Sequence, residues 1–356
     1  MNRPRLLARL IRNGLEYRFC RLTGQAPKIT ALSLELTQYC MGRCVMCNIW
    51  RVSGRAPDLP ARDWITLLSS PALAGLREID ITGGEPFLRK DLPALIEAIT
   101  GLKKKHLTRL RGVAITTNGF LTTRVLKNTP QMARRLAEEG LDLVFAVALD
   151  AIGPLHDRIR RVKDAWKKVQ ATLEGLHLLR PSFPNLIVGL KTTVLPQNLG
   201  ELEAIADYAD ENGLFTIISP CLFTPNRYKN AELQDELAFS PQDRQRLAEF
   251  YRKDRFKWSY HREVMLEYLA QGRISRKCTA GFNYYFVCAT GEVFPCPLID
   301  FSLGCFTKTP FERLIRSSKA GRFRRTIGTD PQCQTCTEPG LERYALPFEG
   351  FTYGHL

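Results

Sequence analysis

Apolar runs with β-strand character alternate with amphipathic helical patterns from about residue 31 to residue 220. The runs that predict strands span 31–36, 77–81, 112–116, 142–149, 186–194 and 214–219. The patterns that predict helices span 61–70, 91–104, 130–140, 164–179 and 197–212. Strands that alternate with helices through short loops form parallel sheets with right-handed crossovers. The pattern therefore predicts an α/β domain, an open parallel (β/α)6 partial barrel, with its chemistry beyond the carboxyl ends of the strands.

The rest of the chain divides by composition. Residues 221–277 are polar and helical, and Ser240-Pro241 supplies the N-cap and first turn of one helix. Beyond them, six of the eleven Cys fall in the last 79 residues, and 284–296 alternate like a β-hairpin that turns at Thr290-Gly291. This Cys-rich part is expected to form a separate unit. The predicted division is a basic amphipathic arm at 1–30, the barrel at 31–220, a helical connector at 221–277, a small Cys-dependent domain at 278–340 and an aromatic tail at 341–356.

The chain is basic, with 51 Lys and Arg against 36 Asp and Glu and a net charge of +15. Such an excess indicates either an anionic partner or a basic, solvated surface. Six Arg lie in residues 3–21 among Leu and Ile at near-helical spacing, which predicts a basic amphipathic helix. A helix of this kind either makes a peripheral contact with a membrane or packs on the body of the protein.

The eleven Cys indicate a reducing compartment. No apolar run approaches the roughly 20 residues that span a bilayer. Charged residues interrupt the N-terminal segment where a signal peptide needs an apolar core. The sequence therefore predicts a cytoplasmic protein, in which clustered Cys serve metal ligation or catalysis more often than disulfides.

Three Cys follow the first predicted strand, with spacings of three and two residues: Cys40, Cys44 and Cys47. Three thiolates at this spacing can wrap one face of a cubane iron–sulfur cluster. A [4Fe–4S] cluster normally takes four Cys ligands. A three-Cys loop therefore leaves one iron for another ligand.

Further polar motifs follow the next strands. Gly83-Gly84-Glu85-Pro86 ends the second strand, and its glycines let the backbone approach a ligand closely. Asn118 ends the third strand and Asp150 the fourth. Arg160 lies in the segment His156-Asp157-Arg158-Ile159-Arg160, whose first two residues are expected to cap or orient it. Lys191, near the end of the fifth strand, points either into the barrel or out to solvent.

The C-terminal Cys form a second set: Cys278 and Cys296 are separated by 17 residues, and Cys333 and Cys336 by two. Two widely spaced thiolates and a CxxC pair can surround a four-iron cluster. They suit a tetrahedral zinc ion equally well. The spacing alone leaves both possibilities open.

The ordered combination of the three-Cys loop, GGEP and the C-terminal Cys set resembles the radical S-adenosylmethionine (radical SAM) superfamily with a SPASM/Twitch-type extension. The resemblance covers residues 31–340 and implies a partial TIM barrel. It implies one [4Fe–4S] cluster, held by the three-Cys loop, whose open iron binds the amino and carboxylate groups of S-adenosylmethionine. It also resolves the C-terminal set in favour of one auxiliary [4Fe–4S] cluster in a Twitch-type domain, because residues 337–356 contain no further Cys.

The same resemblance implies roles for the strand-end residues. Gly83, Gly84 and Glu85 would hold the amino group of the cofactor, and the guanidinium of Arg160 would hold its carboxylate. Asp150 would lie near the ribose, although the usual Ser-Leu-Asp-Gly is here Ala148-Leu149-Asp150-Ala151 and lacks the serine. The further cofactor-binding candidates are Asn118 and Lys191.

The implied activity is reductive cleavage of S-adenosylmethionine to a 5′-deoxyadenosyl radical. That radical would take a hydrogen atom from a small sugar, cyclitol or nucleotide-linked substrate, with oxidation or epimerisation as the outcome. The positive charge of the chain favours an anionic substrate. The reductant would be of the flavodoxin or ferredoxin type. Cys221, just beyond the sixth strand, is the candidate hydrogen-atom donor to the substrate radical; its alternative is simple packing.

Two other functions compete. The first is modification of a ribosomally made peptide; only about 30 residues precede the barrel, which are too few for a leader-binding winged helix. The second is a non-catalytic iron–sulfur electron carrier or zinc-binding protein, which would need no GGEP turn. A nucleic-acid role fits the charge, but no RNA-binding module is visible.

Overall fold

The structure, a computed structural model, describes residues 3–26, 28–51, 57–257, 259–276 and 278–348. The first two residues of the predicted arm and the last eight of the predicted aromatic tail lie outside these ranges. All elements named below lie within them.

Each of the six predicted strands is present. They are β1 (Ala31–Glu35), β2 (Glu78–Thr82), β3 (Gly112–Thr117), β4 (Asp142–Ala148), β5 (Leu186–Val194) and β6 (Phe215–Pro220). Neighbouring strands pair in parallel in chain order from β1 to β6. Because β6 lies at the end of the strand order and does not pair with β1, the barrel is open. This confirms the predicted α/β partial barrel.

Helices precede the barrel and connect its strands. They are α1 (Arg3–Thr23), α2 (Ala61–Leu68), α3 (Leu92–Lys105), α4 (Thr122–Ala137), α5 (Pro154–Arg160), α6 (Ala165–Leu179) and α7 (Leu202–Glu211). Short 3₁₀ turns occur at Ile49–Arg51, Pro71–Leu73, Pro86–Leu88, Arg180–Ser182, Pro196–Glu201, Ala231–Leu233, Asp254–Phe256 and Leu346–Phe348. The last predicted barrel helix, 197–212, is therefore a 3₁₀ turn followed by α7.

Two helices differ from the prediction. α4 begins eight residues before the predicted start and contains Pro130 in its interior. The buried positions Val125, Thr129, Met132 and Leu136 repeat with helical spacing, and their burial outweighs the hydrogen bond that the proline removes. α5 is a seven-residue helix that the apolar pattern did not predict, and it carries Arg160 at its end.

The connector contains α8 (Pro241–Arg252) and α9 (Tyr260–Gln271). Ser240 caps α8 in a reciprocal capping box with Asp243, as the sequence predicted for this N-cap. The C-terminal elements are β7 (Tyr284–Val287), β8 (Glu292–Phe294), β9 (Gly304–Cys305), α10 (Phe311–Arg316), α11 (Ser318–Thr326), α12 (Pro331–Gln334) and α13 (Pro339–Ala345).

The predicted hairpin is joined to the barrel sheet. β7 and β8 pair antiparallel around a turn in which Gly291 has φ of +86°. β7 also pairs in parallel with β1, from Ala31 opposite Tyr284 to Leu34 opposite Val287. All five residues of β1 are buried, so a free edge there would leave its backbone groups without partners. The described strands therefore form one continuous nine-stranded sheet, and the hairpin is not structurally separate.

The predicted N-terminal helix is present and packs on the C-terminal part of the chain. Tyr17 and Cys20 of α1 join a buried cluster with Phe282 and Phe323, and the Tyr17 hydroxyl donates a hydrogen bond to the Cys278 carbonyl (3.1 Å). Among the described residues, no helix is long and apolar enough to cross a membrane.

Candidate active site

A cavity of about 150 Å³ lies where the parallel strands end. All six strands contribute residues to its wall at or just beyond their carboxyl ends. These residues include Cys40, Gly84, Asn118, Ala148, Lys191 and Cys221, in strand order. We call this space the mouth cavity. It lies where parallel α/β folds place their chemistry.

The three-Cys loop forms one wall of the mouth cavity, with Cys40, Cys44 and Cys47 on its lining. Burial raises the pKa of the Cys40 thiol to about 12 and that of Cys47 to about 11. The thiols therefore keep their protons at neutral pH until a metal displaces them.

Neighbouring segments hold the loop from two sides. The N–H groups of Arg43 and Val45 donate to carbonyls at the end of α5, at 3.2 and 2.9 Å. The Asn230 side-chain amide donates to the Met46 carbonyl at 2.7 Å. A loop fixed in this way can present several thiols to one cofactor without a large ordering cost on binding.

The GGEP turn packs directly against the entrance to this loop. A Cβ atom on Gly83 would lie 2.3 Å from the Thr37 carbonyl oxygen, and one on Gly84 would lie 2.1 Å from that of Tyr39. The Gly84 and Glu85 N–H groups donate to these same two carbonyls, at 2.7 and 2.8 Å. The two glycines thus let the second strand's turn touch the backbone that leads into Cys40.

Gly84→Ala should displace the three-Cys loop, because the new Cβ would overlap a backbone carbonyl that is itself held by a hydrogen bond. We expect iron content to fall from about eight to about four atoms per chain, as only the C-terminal cluster remains. S-adenosylmethionine cleavage should be lost. Gly101→Ala is the matched control, since nothing lies within 4 Å of its added Cβ. Iron analysis checks the pair, and full iron content in the Gly84 variant would contradict this role of the turn.

The Glu85 side chain does not border the mouth cavity, and the role of the GGEP turn towards the amino group of the cofactor stays a prediction. The Glu85 carboxylate is fully buried and accepts hydrogen bonds from the N–H groups of Phe87 (3.0 Å) and Asn118 (2.8 Å) and from the Thr117 hydroxyl (2.9 Å). Burial raises its pKa to about 7. Glu85 therefore joins the second strand's turn to the end of β3 and positions the residues around it.

Asp150 is likewise behind the wall of the cavity and is fully buried. Its Oδ2 forms an ion pair with the Arg160 Nε at 2.6 Å, and its Oδ1 accepts the Thr193 N–H at 2.9 Å. In the structure Asp150 contacts Arg160, and its expected position near the ribose stays a prediction. Arg160 does border the cavity, and its Nη1 lies 3.8 Å from the Cys44 sulfur.

The other two candidates of this segment have the orienting roles expected of them. The His156 Nδ1 accepts the Asp150 N–H at 3.1 Å, and burial lowers the pKa of this imidazole to about 3, so it is neutral. The Asp157 carboxylate accepts the Trp166 N–H at 2.8 Å, at the start of α6.

Asn118 and Lys191 both border the mouth cavity. The Asn118 side-chain amide points at the sulfurs of Met41 (3.1 Å) and Cys40 (3.8 Å), and so contacts the three-Cys loop. Of the two orientations open for Lys191, the structure shows the inward one. Burial acts to lower the pKa of its ammonium group, but nearby Tyr228, Glu338 and Asp80 together raise it. Lys191 is therefore a cation at neutral pH.

Cys221 lies at the predicted position, directly after β6 and on the mouth cavity. Its side chain is nine-tenths buried, among Met46, Ile159 and Leu195. Burial raises its pKa to about 12, so the sulfur carries its hydrogen at neutral pH.

Sequence reasoning missed four residues around this cavity: Arg227, Tyr228, Asn230 and Glu338. Arg227 donates to the Glu35 carboxylate and to the Thr82 hydroxyl, both at 2.7 Å, and so ties the ends of β1 and β2 together. The first three lie in the loop after Cys221, which the composition assigned to a polar connector. Only Glu338 had a nearby signal, because it follows Cys336 by two residues.

A second, larger cavity of about 590 Å³ is bordered by all four predicted C-terminal ligands: Cys278, Cys296, Cys333 and Cys336. The Ala280 N–H points at the Cys278 sulfur and the Leu298 N–H at the Cys296 sulfur, both at 3.4 Å. Such N–H groups stabilise thiolates that carry negative charge. We call this space the C-terminal cavity. Glu338 borders both cavities and stands between them.

The two remaining C-terminal Cys, Cys288 and Cys305, do not border the C-terminal cavity. Their thiols contact the hydroxyls of Thr290 and Thr307, each at 3.0 Å. Among the described residues, no group of three or more His, Cys, Asp or Glu side chains is arranged to hold a single metal ion. The four thiols instead line one cavity of about 590 Å³, which has room for a cluster of several atoms.

Two family models match the chain. Residues 34–209 match the radical SAM superfamily. The chain belongs to the radical SAM superfamily. Residues 278–337 match the SPASM family, an iron–sulfur cluster-binding domain. This second match removes the zinc alternative for the C-terminal set, while the narrower Twitch form remains a prediction.

The curated relatives carry different activities. The chain is 31% identical over 156 residues to GTP 3′,8-cyclase of Heliobacterium modesticaldum, covering 42% of this chain and 43% of the cyclase. It is 23% identical over 273 residues to the sporulation killing factor maturation protein SkfB of Bacillus subtilis, covering 76% of this chain and 61% of SkfB. The chain spans about half the length of the first curated relatives it matches.

Solved structures share the fold. Streptococcus suis SuiB bound to S-adenosylmethionine superposes with a TM-score of 0.63 at 16% identity, covering 90% of this chain and 73% of that one. At this identity the likeness speaks to architecture alone, and it includes the partial barrel and the C-terminal part.

The chain therefore carries the cofactors of its family: a [4Fe–4S] cluster that binds S-adenosylmethionine and an auxiliary iron–sulfur cluster. The residues fit both groups. Three thiols border the mouth cavity and leave one face open, and four thiols surround the C-terminal cavity. The assignment of each Cys to its cluster remains the prediction made from the sequence.

Proposed function

We propose that this enzyme abstracts a hydrogen atom from a small anionic substrate bound in the mouth cavity. The observation that carries the proposal is the position of Lys191, a cation on the same cavity as the three-Cys loop. No hydrogen bond or ion pair joins its ammonium group to any residue that the structure describes. An inward cation of this kind is suited to a phosphate or carboxylate of a substrate. With a volume of about 150 Å³, the cavity favours a small substrate over a large one.

When bound, the cluster at Cys40, Cys44 and Cys47 supplies the electron that cleaves S-adenosylmethionine into methionine and the abstracting radical. The protein's part is to orient and shield the reactants. Arg160, held by Asp150, presents its outer nitrogens to the cavity, where they can take the cofactor carboxylate. The buried lining formed by Ala148, Met46 and Cys221 limits access of water to the reacting atoms.

Cys221 offers one fate for the substrate radical, which is return of a hydrogen atom. Its S–H bond breaks as a C–H bond forms on the substrate, and delivery to the opposite face gives the epimer. The sulfur radical that remains then takes one electron and one proton, with the electron coming from a ferredoxin or flavodoxin-type reductant. The raised pKa of Cys221 favours this fate, because only the protonated thiol holds a hydrogen atom to give.

Glu338 offers the other fate, which is oxidation of a carbinol carbon. After loss of the C–H hydrogen, its carboxylate would take the hydroxyl proton, and the remaining electron would leave for an acceptor as the C=O bond forms. Glu338 borders the C-terminal cavity as well as the mouth cavity, so an acceptor there would be adjacent.

A peptide substrate is the second candidate, and the alignment to SkfB over 76% of this chain favours it. Binding of a small molecule and binding of a peptide depend on Lys191 to different extents. Only an anionic small molecule needs this cation as its main anchor.

The experiment is a substrate panel of sugar phosphates, nucleotide sugars, cyclitol phosphates and short peptides, run anaerobically with S-adenosylmethionine in D₂O. Substrate-dependent 5′-deoxyadenosine identifies the class. Lys191→Met should raise KM for an anionic substrate by one to two orders of magnitude, as expected for a lost charged hydrogen bond. A peptide that stimulates cleavage while no small anion does so would contradict the proposal.

The fate of the radical is tested by two variants against one control. If the reaction is epimerisation, Cys221→Ala abolishes deuterium incorporation from D₂O but retains 5′-deoxyadenosine formation. If it is oxidation, Glu338→Gln lowers the product rate by about 10² to 10⁴-fold, the range for loss of a general base, and Cys221→Ala is neutral. Cys20→Ala, which alters a buried thiol that does not border the mouth cavity, is the control. A product rate unchanged in both variants would overturn both fates.

A further inference from the structure

The outward face of α1 is apolar. Leu7, Leu15, Phe19 and Leu22 are 56%, 57%, 55% and 80% exposed, and their spacing places them on one side of the helix. Five large apolar side chains in the described part of the chain are at least 55% exposed, and four of them lie on this one helix. Scattered exposed apolar residues are ordinary, whereas a contiguous stripe marks an interaction site.

The inward face of α1 packs against the body of the protein, so the exposed stripe is not needed to hold the helix in place. Tyr17 packs its ring on Phe282 at 5.0 Å between centroids. The Arg324 Nε donates to the Gly24 carbonyl at 2.7 Å, just beyond the end of the helix. The helix is therefore fixed on the body of the protein with its apolar stripe outward.

Exposed arginines lie beside the stripe on α1 and on the body of the protein near Arg9. Arg9, Arg12 and Arg18 lie on the exposed surface of α1, and Arg109 and Arg111 are exposed in the segment before β3. Arg77 lies just before β2, and its burial together with Arg9, Arg111 and Arg109 lowers its pKa. Arg9 of the helix is thus close to the arginines at the amino ends of the strands. None of these six arginines forms an ion pair with a described residue. The mutually close ones are Arg9, Arg77, Arg109 and Arg111; together with Arg12 and Arg18 on α1 we call them the arginine cluster.

We propose that α1 and the arginine cluster form a docking surface for an anionic lipid bilayer. The helix would lie in the plane of the interface, with the stripe of Leu7, Leu15, Phe19 and Leu22 among the acyl chains and the arginines on the headgroups. An apolar stripe and a basic patch are the two signals that together hold a peripheral protein on a membrane. The surface lies at the amino ends of the strands, so the mouth cavity at their carboxyl ends remains open to water.

Other occupants fit the same surface less well. A single-stranded RNA would use the cations, but it would need stacking aromatic side chains and would leave the leucines exposed to water. A second copy of this chain would bring two arginine clusters together, because a twofold interface pairs each patch with itself. An anionic bilayer satisfies the charge and the apolar stripe at once.

The test is flotation of the full-length, cluster-loaded protein with vesicles. Phosphatidylcholine mixed with phosphatidylglycerol should carry the protein upward, phosphatidylcholine alone should not, and added salt should release it. Arg9→Gln/Arg109→Gln/Arg111→Gln should weaken partitioning about a hundredfold, from about 1 kcal/mol for each basic residue near the surface. Leu15→Glu/Phe19→Glu should abolish partitioning, and both side chains are more than half exposed in the unbound protein.

The matched controls carry the same chemical changes elsewhere on the surface. Leu178→Glu replaces another exposed leucine, and Lys127→Gln/Lys163→Gln/Arg252→Gln removes three exposed cations away from α1. Both should partition like the unaltered chain, and all variants should keep their iron content and circular dichroism. The proposal is overturned if anionic vesicles fail to float the protein, or if the controls weaken binding as much as the α1 variants do. It is equally overturned if the α1 variants change only self-association or RNA binding. None of these results depends on the identity of the substrate.

Discussion

Cys44→Ala should abolish S-adenosylmethionine cleavage and halve the iron content, from about eight to about four atoms per chain. The thiol borders the mouth cavity and lies within 3.8 Å of the Arg160 guanidinium, at the centre of the three-Cys loop. A cluster held by three thiolates has no spare protein ligand, so the loss of one should release the whole cluster. Anaerobic iron analysis with assay of 5′-deoxyadenosine after dithionite reduction measures both effects.

Two further variants show whether the effect is specific. Cys336→Ala should also remove about four irons, but from the C-terminal cavity, and it should leave slow cleavage of S-adenosylmethionine in place. Cys305→Ser alters a thiol that borders neither cavity and should leave iron content unchanged. If Cys44→Ala retained full iron content and cleavage, the assignment of this loop would be wrong.

Arg160→Ala should destabilise the protein by about 3 to 5 kcal/mol, the usual cost of leaving a buried charge without its partner. The charge in question is the carboxylate of Asp150, which has no exposed surface and lies 2.6 Å from the Arg160 Nε. The same substitution removes a cation from the cavity wall, so cleavage of S-adenosylmethionine should also fall sharply. Denaturant unfolding followed by circular dichroism gives the change in stability.

The control for this prediction removes both charges. Asp150→Asn/Arg160→Met leaves no unpaired ion in the interior, so it should be more stable than Arg160→Ala while remaining inactive. Arg135→Ala breaks an exposed arginine's ion pairs with Glu97 and Glu138 and should change the free energy of unfolding little, because solvent screens exposed pairs. Equal losses of stability for Arg160→Ala and Arg135→Ala would show that the buried ion pair has no special structural role.

The sequence predicted the barrel well because each parallel strand is a short apolar run between amphipathic helices. Strand ends are set by burial on both faces, and that signal is local. The start of α4 was placed too late because Pro130 disfavours a helix interior, while the favourable burial of Val125 and Met132 depends on the finished fold. The pairing of β7 with β1 joins residues about 250 positions apart, and no local pattern encodes such a contact.

In the candidate site, too, features that depend on local sequence were predicted and features that depend on long-range contacts were not. The sequence placed Cys40, Lys191 and Cys221 at strand ends, and parallel topology brought them to one cavity. It did not reveal which strand-end carboxylates face inward. Glu85 and Asp150 follow strand ends, as the cavity residues do. Their carboxylates nevertheless interact with groups from other segments instead of lining the cavity: Glu85 accepts the Asn118 N–H, and Asp150 pairs with Arg160. Orientation of this kind depends on side-chain hydrogen bonds between distant segments.

The most direct test of the account is to count the metals in the anaerobically reconstituted chain and then to reduce it in the presence of S-adenosylmethionine. We predict about eight irons and no stoichiometric zinc, corresponding to two four-iron clusters, and formation of 5′-deoxyadenosine and methionine. About four irons with one zinc would contradict the auxiliary cluster. Two clusters that never cleave S-adenosylmethionine, with or without candidate substrates, would contradict the proposed hydrogen abstraction and point instead to an electron carrier.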